Sequence, residues 1–283
     1  MPPWLTRALG GGLLTALAKE ELPPGESPDS ADARPTKAED TDTASWCRAL
    51  QRRLTGAVMA IVAPQQLSVG VPGGCEILVL GTRAKVDEAD RNDETKALVL
   101  LDVKNAHNSY SRRKAQTAIR EAANEQPDLH QLEVAHTSIS RPHTDIYTHD
   151  PATHRPTLLT QSSTGGGQGN PLTNIIFPLT INPALKKVER LFPGVEVRAQ
   201  QDDVSMLGDP NLVFGTNGNN GALQLLETEL NRLSLAVAPE KYQVYTIGTD
   251  YPIAELPVGL PRPFMITDPA MAEGIAAAEK AND

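Results

Sequence analysis

The sequence predicts an α+β fold, on three observations. Residues 98–103 form a nearly unbroken apolar run interrupted only by Asp102, as expected of a strand buried on both faces. Two stretches, 136–159 and 195–207, alternate apolar and polar residues around a turn and read as hairpins. Helical periodicity fills other stretches, but helices and strands do not alternate regularly. That pattern indicates layered α+β structure and not a doubly wound sheet.

In chain order, residues 21–45 are rich in Pro, Asp, Glu, Ser and Thr and read as a mobile loop or linker. Trp46, Leu50, Leu54, Val58 and Ile61 then recur at three- and four-residue steps, giving an amphipathic helix over 45–62. Arg48, Arg52 and Arg53 lie on its solvent side, available to phosphate. Val71 to Gly74 is a turn, and the apolar stretch after it to Leu80 fits helix or strand equally. Residues 112–124 read as a helix. Within the first hairpin, His149-Asp-Pro-Ala supplies the turn.

Residues 170–191 read as a helix, with Asn170 as cap and Pro171 at its first position. Pro178 and Pro183 predict a kink or break inside it. The second hairpin, a helix over 221–233 and a short strand over 243–247 follow. Residues 270–283, rich in Ala and Glu, read as a frayed helix or tail. No internal repeat is present.

Bulk properties narrow the function. A hydrophobic content of 40% permits a core, but 4% aromatics leaves Leu, Val, Ile and Ala to fill it. A net charge of −9 argues against a strong nonspecific nucleic-acid binder, whose footprint is basic. Cys47 and Cys75 match no zinc spacing and no disulfide framework, which fits a reducing compartment. No run approaches the roughly 18 apolar residues of a membrane span. The N-terminus is a poor secretory signal, so an intracellular location, nucleus or cytoplasm, is expected.

Three segments carry chemistry. Asp102 ends the buried strand, where an unpaired carboxylate is costly unless a cation or donor meets it. Gly165-Gly-Gly-Gln168-Gly169-Asn170-Pro171-Leu172 is a glycine-rich turn opening an apolar run to Phe177. Gln200-Gln201-Asp202-Asp203 places paired aspartates at the bend of the second hairpin. By itself an Asp-Asp pair says little, since surface turns favour aspartate. The glycines are too close for a dinucleotide fingerprint, and no Gly-Lys-Ser/Thr completes a P-loop.

In order and spacing these segments resemble motifs A, B and C of reverse transcriptases, in particular those of non-long-terminal-repeat retrotransposons. Further segments extend the likeness over residues 30–260. Pro64-Gln-Gln-Leu-Ser-Val-Gly70-Val-Pro72-Gly73-Gly74-Cys75-Glu76 resembles the segment preceding motif A. Arg34-Pro35 resembles the fingers motif whose arginine meets the incoming triphosphate. Leu233-Ser-Leu235-Ala-Val-Ala-Pro239-Glu-Lys241 resembles motif D, whose lysine acts as general acid near the pyrophosphate.

The resemblance implies a right-hand polymerase with fingers and palm, an antiparallel palm sheet packed on helices, and a thumb absent or incomplete. Residues 1–96 would form a fingers-like region with its linker at 21–45, residues 97–260 the palm with interleaved fingers elements, and 261–283 a tail. The implied activity is RNA-directed DNA synthesis with Mg²⁺ or Mn²⁺ on an RNA template with a DNA primer, from deoxynucleoside triphosphates. No membrane partner is implied. Asp102 and Asp202 would be metal ligands, Asp203 a supporting one, and Lys241 the general acid. The Val103 carbonyl would complete a coordination shell, and His107, Gln168, Gly169 and Arg34 would contact the nucleotide.

Several positions depart from the family pattern. Gln200 stands where the family has Tyr or Phe, Asn170 where it has Asp, and His107 where it has Phe. Gly166 and Gly167 replace bulkier residues. The alternative reading is therefore a catalytically inactive retroelement remnant that folds, or binds nucleic acid, without turnover. Lys104, Arg112, Arg113, Lys114 and Arg120 fit phosphate contacts or a solvated helix face equally. His130, His136, His143, His149 and His154 are spaced like no compact metal ligand set.

Overall fold

A computed structural model of the chain describes residues 12–18, 33–38, 41–140, 143–149, 153, 155–216, 220–248 and 264–265. Strands β1 (Gly12–Ala18) and β2 (Ala33–Ala38) pair antiparallel from Leu13↔Ala38 to Ala18↔Ala33. The linker expected over 21–45 is thus shorter at its C-terminal side, because ladder pairing with β1 orders residues whose composition alone would not. Residues 21–32 lie outside the described residues.

Helix α1 (Thr41–Val62) buries Cys47, Leu54, Val58 and Ile61. Trp46, expected on that stripe, is 49% exposed, and Cys47 takes the buried place. Helix α2 (Gly74–Arg91) settles the ambiguous stretch as helical; it buries Val86 and Ala89 and leaves Ile77, Val79 and Leu80 exposed. Strand β3 (Lys96–Lys104) buries Ala97, Leu98, Val99, Leu101 and Val103, while Leu100 and Asp102 are half-buried.

Helices α3 (Ala106–Ser109) and α4 (Arg112–Glu125) follow; the Lys114 amide donates to the Ser111 hydroxyl that caps α4. After the 3₁₀ turn Pro127–Leu129 comes α5 (His130–Ile139), then β4 (Thr144–His149) and β5 (Pro156–Ser162). The first hairpin therefore starts later than expected, and His136 lies on α5. Leu129, Leu132, Ala135, His136 and Ile139 form a buried stripe at helical steps, which decides the conformation there. Of the expected turn, residues 150–152 lie outside the described residues.

Helix α6 (Thr173–Leu191) runs on through Pro178 and Pro183, correcting the expected break. Its residues Ile175, Ile176, Phe177, Leu179, Ile181, Leu185 and Val188 are buried. Each fully buried large side chain contributes about 1.5–3 kcal/mol, and together they outweigh the roughly 3 kcal/mol cost of a mid-helix proline. Strands β6 (Glu196–Gln200) and β7 (Asp203–Gly208) make the second hairpin. Helices α7 (Pro210–Phe214) and α8 (Ala222–Arg232), and strands β8 (Ala236–Val237), β9 (Gln243–Ile247) and β10 (Phe264–Met265), complete the described chain. The expected tail over 270–283 lies outside it.

The chain divides into two compact units, each made of two stretches of sequence. One comprises residues 1–62 and 105–180, the other 63–104 and 181–283. The boundary expected at 96/97 falls inside the second unit. The first unit has a sheet in the order β2-β1-β4-β5, with β1 parallel to β4. Its helices bury Leu54, Val58, Ile119, Leu132 and Ile139. In the second unit the sheet order is β10-β9-β3-β7-β6, and β8 also pairs with β3. Val86 and Ala89 of α2 pack on Leu98 and Ile247 of that sheet, flanked by Leu100, Leu207 and Tyr245.

Candidate active site

In the second unit, the register of β3 against β7 sets Asp102 directly opposite Asp203. Cross-strand partners project from the same face, so two carboxylates meet at the end of the central strand. Asp202 and Gln201 form the turn between β6 and β7, and Gln201 adopts a left-handed φ of 59°. Val103, next along β3, is buried and pairs with Val237 of β8. Lys241 closes the 3₁₀ turn Pro239–Lys241, and its Nζ donates to Asp102 Oδ2 at 3.5 Å. The side chains of that ion pair are 57% and 40% exposed, so it stays open to solvent and ligands.

The Asp203 carboxyl is raised above the ordinary aspartate value. Burial is the largest cause, followed by the charges of Asp202 and Asp102. Among the described residues no three His, Cys, Asp or Glu side chains gather into a ready-made metal-holding group. The donor chemistry nonetheless fits Mg²⁺ or Mn²⁺. Mg²⁺ takes one or two carboxylates, several waters and substrate phosphates instead of an all-protein cage. Asp102 and Asp203 are hard oxygen donors facing one another, and a divalent cation held there would offset the Asp202 and Asp102 charges that add to burial in raising Asp203.

The hairpin carrying these aspartates is held from behind by residues 65–67. The Leu67 amide donates to Ala199 O at 2.9 Å, and the Ala199 amide to Gln65 O at 2.7 Å. Gln66, fully buried, donates from Nε2 to Gln201 O at 2.7 Å and accepts from the Gln201 amide at 3.1 Å. The sequence marks Gln66 only as part of the segment 64–76, and its partner, 135 positions away, is not legible there. Gly74 must be glycine for this packing, since a Cβ there would lie 2.0 Å from Leu67 O. Gln200 has its Oε1 buried with no hydrogen-bond partner among the described residues.

The glycine-rich turn belongs to the first unit, where α3 shapes it. The Gly165 amide donates to Tyr110 O at 2.8 Å, the Gly166 amide to His107 O at 3.0 Å, and the Gln168 amide to Asn108 Oδ1 at 3.0 Å. Gly165 has φ 61°, and a Cβ there would lie 2.4 Å from the Asn108 backbone. His107 rests its ring on Phe177, centroids 5.1 Å apart, while Gln168 and Gly169 stay accessible. Buried Asn170 accepts from the Leu172 amide at 2.8 Å in the turn that leads into α6, which begins at Thr173 and not at the expected Asn170-Pro171. Arg112 donates to Gly165 O at 2.7 Å and Ser162 O at 2.9 Å, tying the turn to β5.

The structure thus brings Asp102, Asp202, Asp203, Lys241 and Val103 together in one unit. His107, Gln168 and Gly169 adjoin one another in the other unit. Arg34 pairs through its backbone with Leu17, and its side chain lies outside the described residues.

No protein-family model and no curated protein sequence matches the chain. Solved structures do. Telomerase from Candida albicans in complex with a TWJ fragment of telomeric RNA has a TM-score of 0.61 at 9% identity, covering 89% of this chain and 44% of that one. Apo telomerase from Candida tropicalis truncated from its C-terminal domain gives 0.58 at 11%, covering 87% and 52%. Telomerase from Candida tropicalis in complex with a TWJ fragment of telomeric RNA gives 0.59 at 10%, covering 84% and 41%. The likeness is one of fold: the chain has a reverse-transcriptase-like α+β architecture of helices and antiparallel sheet. It spans between 41% and 52% of the length of these telomerase chains.

Proposed function

We propose that the chain is an RNA-directed DNA polymerase domain of a retroelement, extending a DNA primer 3′-hydroxyl along an RNA template. The observation that carries this reading is the facing of Asp102 and Asp203 across β3 and β7, with Asp202 at the turn and Lys241 beside them, in a reverse-transcriptase-like fold. Candida telomerases of like fold were solved with a fragment of telomeric RNA, which supports an RNA partner.

Asp102, Asp202 and Asp203 supply the oxygen ligands for Mg²⁺ or Mn²⁺. When bound there, the cation lowers the pKa of the attacking hydroxyl and offsets charge on the triphosphate. Lys241 holds a proton on Nζ beside Asp102 and delivers it to the departing pyrophosphate. Val103, His107, Gln168, Gly169 and Arg34 contribute contacts to the incoming nucleotide.

Primer extension on homopolymer RNA with Mg²⁺ or Mn²⁺ tests the proposal. Asp102→Asn and Asp202→Asn each abolish extension while the thermal transition stays cooperative, because the amide lacks the charge that holds a hard cation. Equal extension by wild type and both variants overturns the assignment. A second reading, an inactive remnant that binds nucleic acid without turnover, is favoured by the orphaned oxygen of Gln200 at the end of β6, within the aspartate-bearing hairpin. An unpartnered buried amide oxygen costs about 1–3 kcal/mol. Gln200→Tyr removes it, and is expected to raise extension activity or melting temperature; RNA binding without extension in wild type selects the second reading.

A further inference from the structure

We infer that Gln66 is a positioning residue for the carboxylate-bearing hairpin, its side-chain amide fixing the turn from which Asp202 and Asp203 project. Its catalytic meaning rests on the polymerase reading above; its geometry does not. Gln66 uses both ends of the amide on one residue, donating to Gln201 O at 2.7 Å and accepting from the Gln201 amide at 3.1 Å. Its Oε1 also accepts from the Ser68 hydroxyl at 2.7 Å, which sets the orientation of the amide plane.

Gln201 needs such a clamp. It is a non-glycine residue at φ 59°, a conformation that persists only where the surroundings over-determine it. Because Gln201 is joined directly to Asp202, slack in this turn moves Asp202 and then Asp203. The clamp itself has a firm base. Residues 65–67 bridge to β6 through Gln66↔Ala199, and Gln65 Nε2 donates to Glu189 Oε2 at 2.6 Å on α6. Gln66 is completely buried, so its side of each bond is shielded from water.

At this spacing a carboxamide offers a donor and an acceptor at any pH, and a carboxyl group does so only while protonated. In Gln66→Glu, assayed at a pH where the buried carboxyl is ionised, the group still accepts from the Gln201 amide but turns a second acceptor toward the Gln201 carbonyl. In Gln66→Met, the thioether makes neither bond. The two substitutions therefore remove one and two bonds in a graded way. Ser68→Ala loosens the amide without touching the turn.

The experiment follows three quantities in the full chain. These are hydrogen exchange at the Gln201 amide, Mn²⁺ affinity by electron paramagnetic resonance without nucleic acid, and kcat and KM for deoxynucleotide in primer extension. In Gln66→Met, exchange at Gln201 accelerates about tenfold or more, as expected for loss of a buried hydrogen bond. Mn²⁺ binding weakens by a similar order, and kcat falls about a hundredfold with KM little changed, the pattern of misplaced reacting groups. Gln66→Glu lies between Gln66→Met and wild type, and Ser68→Ala nearest wild type.

Unchanged exchange at Gln201 in Gln66→Met and Gln66→Glu overturns the clamp. So does unchanged kcat in an active enzyme. If Gln66→Met fails to fold, the Gln66→Glu and Ser68→Ala variants carry the comparison. If wild type extends no primer, the polymerase reading falls, and exchange at Gln201 still decides the clamp.

Discussion

Asp203 faces Asp102 across a strand pair, and like charges so placed destabilise a sheet. Its raised carboxyl pKa gives the sign. The native state binds the proton more tightly than the unfolded chain, so the associated stability is present below the ordinary aspartate value. It is lost as pH rises through the native value. Above the native value no proton offsets the repulsion. There Asp203→Asn should raise stability by about 0.2–1 kcal/mol, read as a shift of about 0.5–4 °C in melting temperature. Divalent cation should raise the melting temperature of wild type and do so less in the variant; the reverse order would show that the pair does not meet a cation. His136 acts oppositely. Burial, with a smaller effect of the Arg112 charge, lowers it to about 4, and its Nδ1 pairs with Gln116 Oε1 at 2.6 Å. Stability tied to this neutral imidazole is full above the ordinary histidine value of about 6.5 and is lost as pH falls toward the native value. His136→Gln should flatten the melting-temperature profile between those limits. The meeting of Asp102 with the 202–203 pair was legible in sequence because Asp102 ends an apolar run and the pair sits at the bend of an alternating one. Gln66 stood out only as part of the segment 64–76, since a glutamine beside a distant turn leaves no periodicity to read.

At the scale of elements, burial overrode local breakers. Pro178 and Pro183 predicted a kink or break, yet α6 is unbroken through both because most of its large apolar side chains are buried. Pro183 is itself exposed, so its ring contributes little packing that a smaller residue would lose. Pro183→Ala removes a mid-helix cost of roughly 3 kcal/mol and gives back about 0.4–1 kcal/mol through the freer unfolded chain. A net gain of about 2 kcal/mol is expected, seen as a higher denaturant midpoint with an unchanged slope. A lower midpoint would mean that α6 has adapted its backbone to the proline. The hairpin of β6 and β7 was legible because a strand's period of two survives in Val195, Val197 and Ala199, all buried. The start of the first hairpin was not, since residues 136–139 belong to a helix whose stripe begins before them, at Leu129.

Of the three junctions between the two units, only 62/63 meets a Pro- and Gly-bearing stretch, Ala63 to Gly74. One of the others follows β3 directly and the other, at 180/181, falls inside α6, so neither carries the signal of a linker. Net charge, in contrast, is read directly: 35 acidic residues against 26 basic ones. The structure further thins the basic stretch of α4. Arg112 is spent on Gly165 and Ser162 carbonyls, and Arg120 pairs with Glu133 at 2.9 Å, which leaves Arg113 and Lys114 exposed. An RNA partner held by few cations binds weakly and with little counterion release. Each phosphate contact to a single strand contributes about −0.7 to the slope of log affinity against log salt. Wild type is therefore expected to bind single-stranded RNA with a shallow slope of about −1.5 to −3, corresponding to two to four contacts. Replacing both Arg113 and Lys114 by Gln should make that slope shallower by about 1.4 if each meets one phosphate. Fluorescence anisotropy of labelled RNA across a KCl series measures it. An unchanged slope would place the RNA elsewhere on the surface, and a wild-type slope steeper than about −5 would bring in exposed cations beyond α4, such as Arg48, Arg52 and Arg53 of α1.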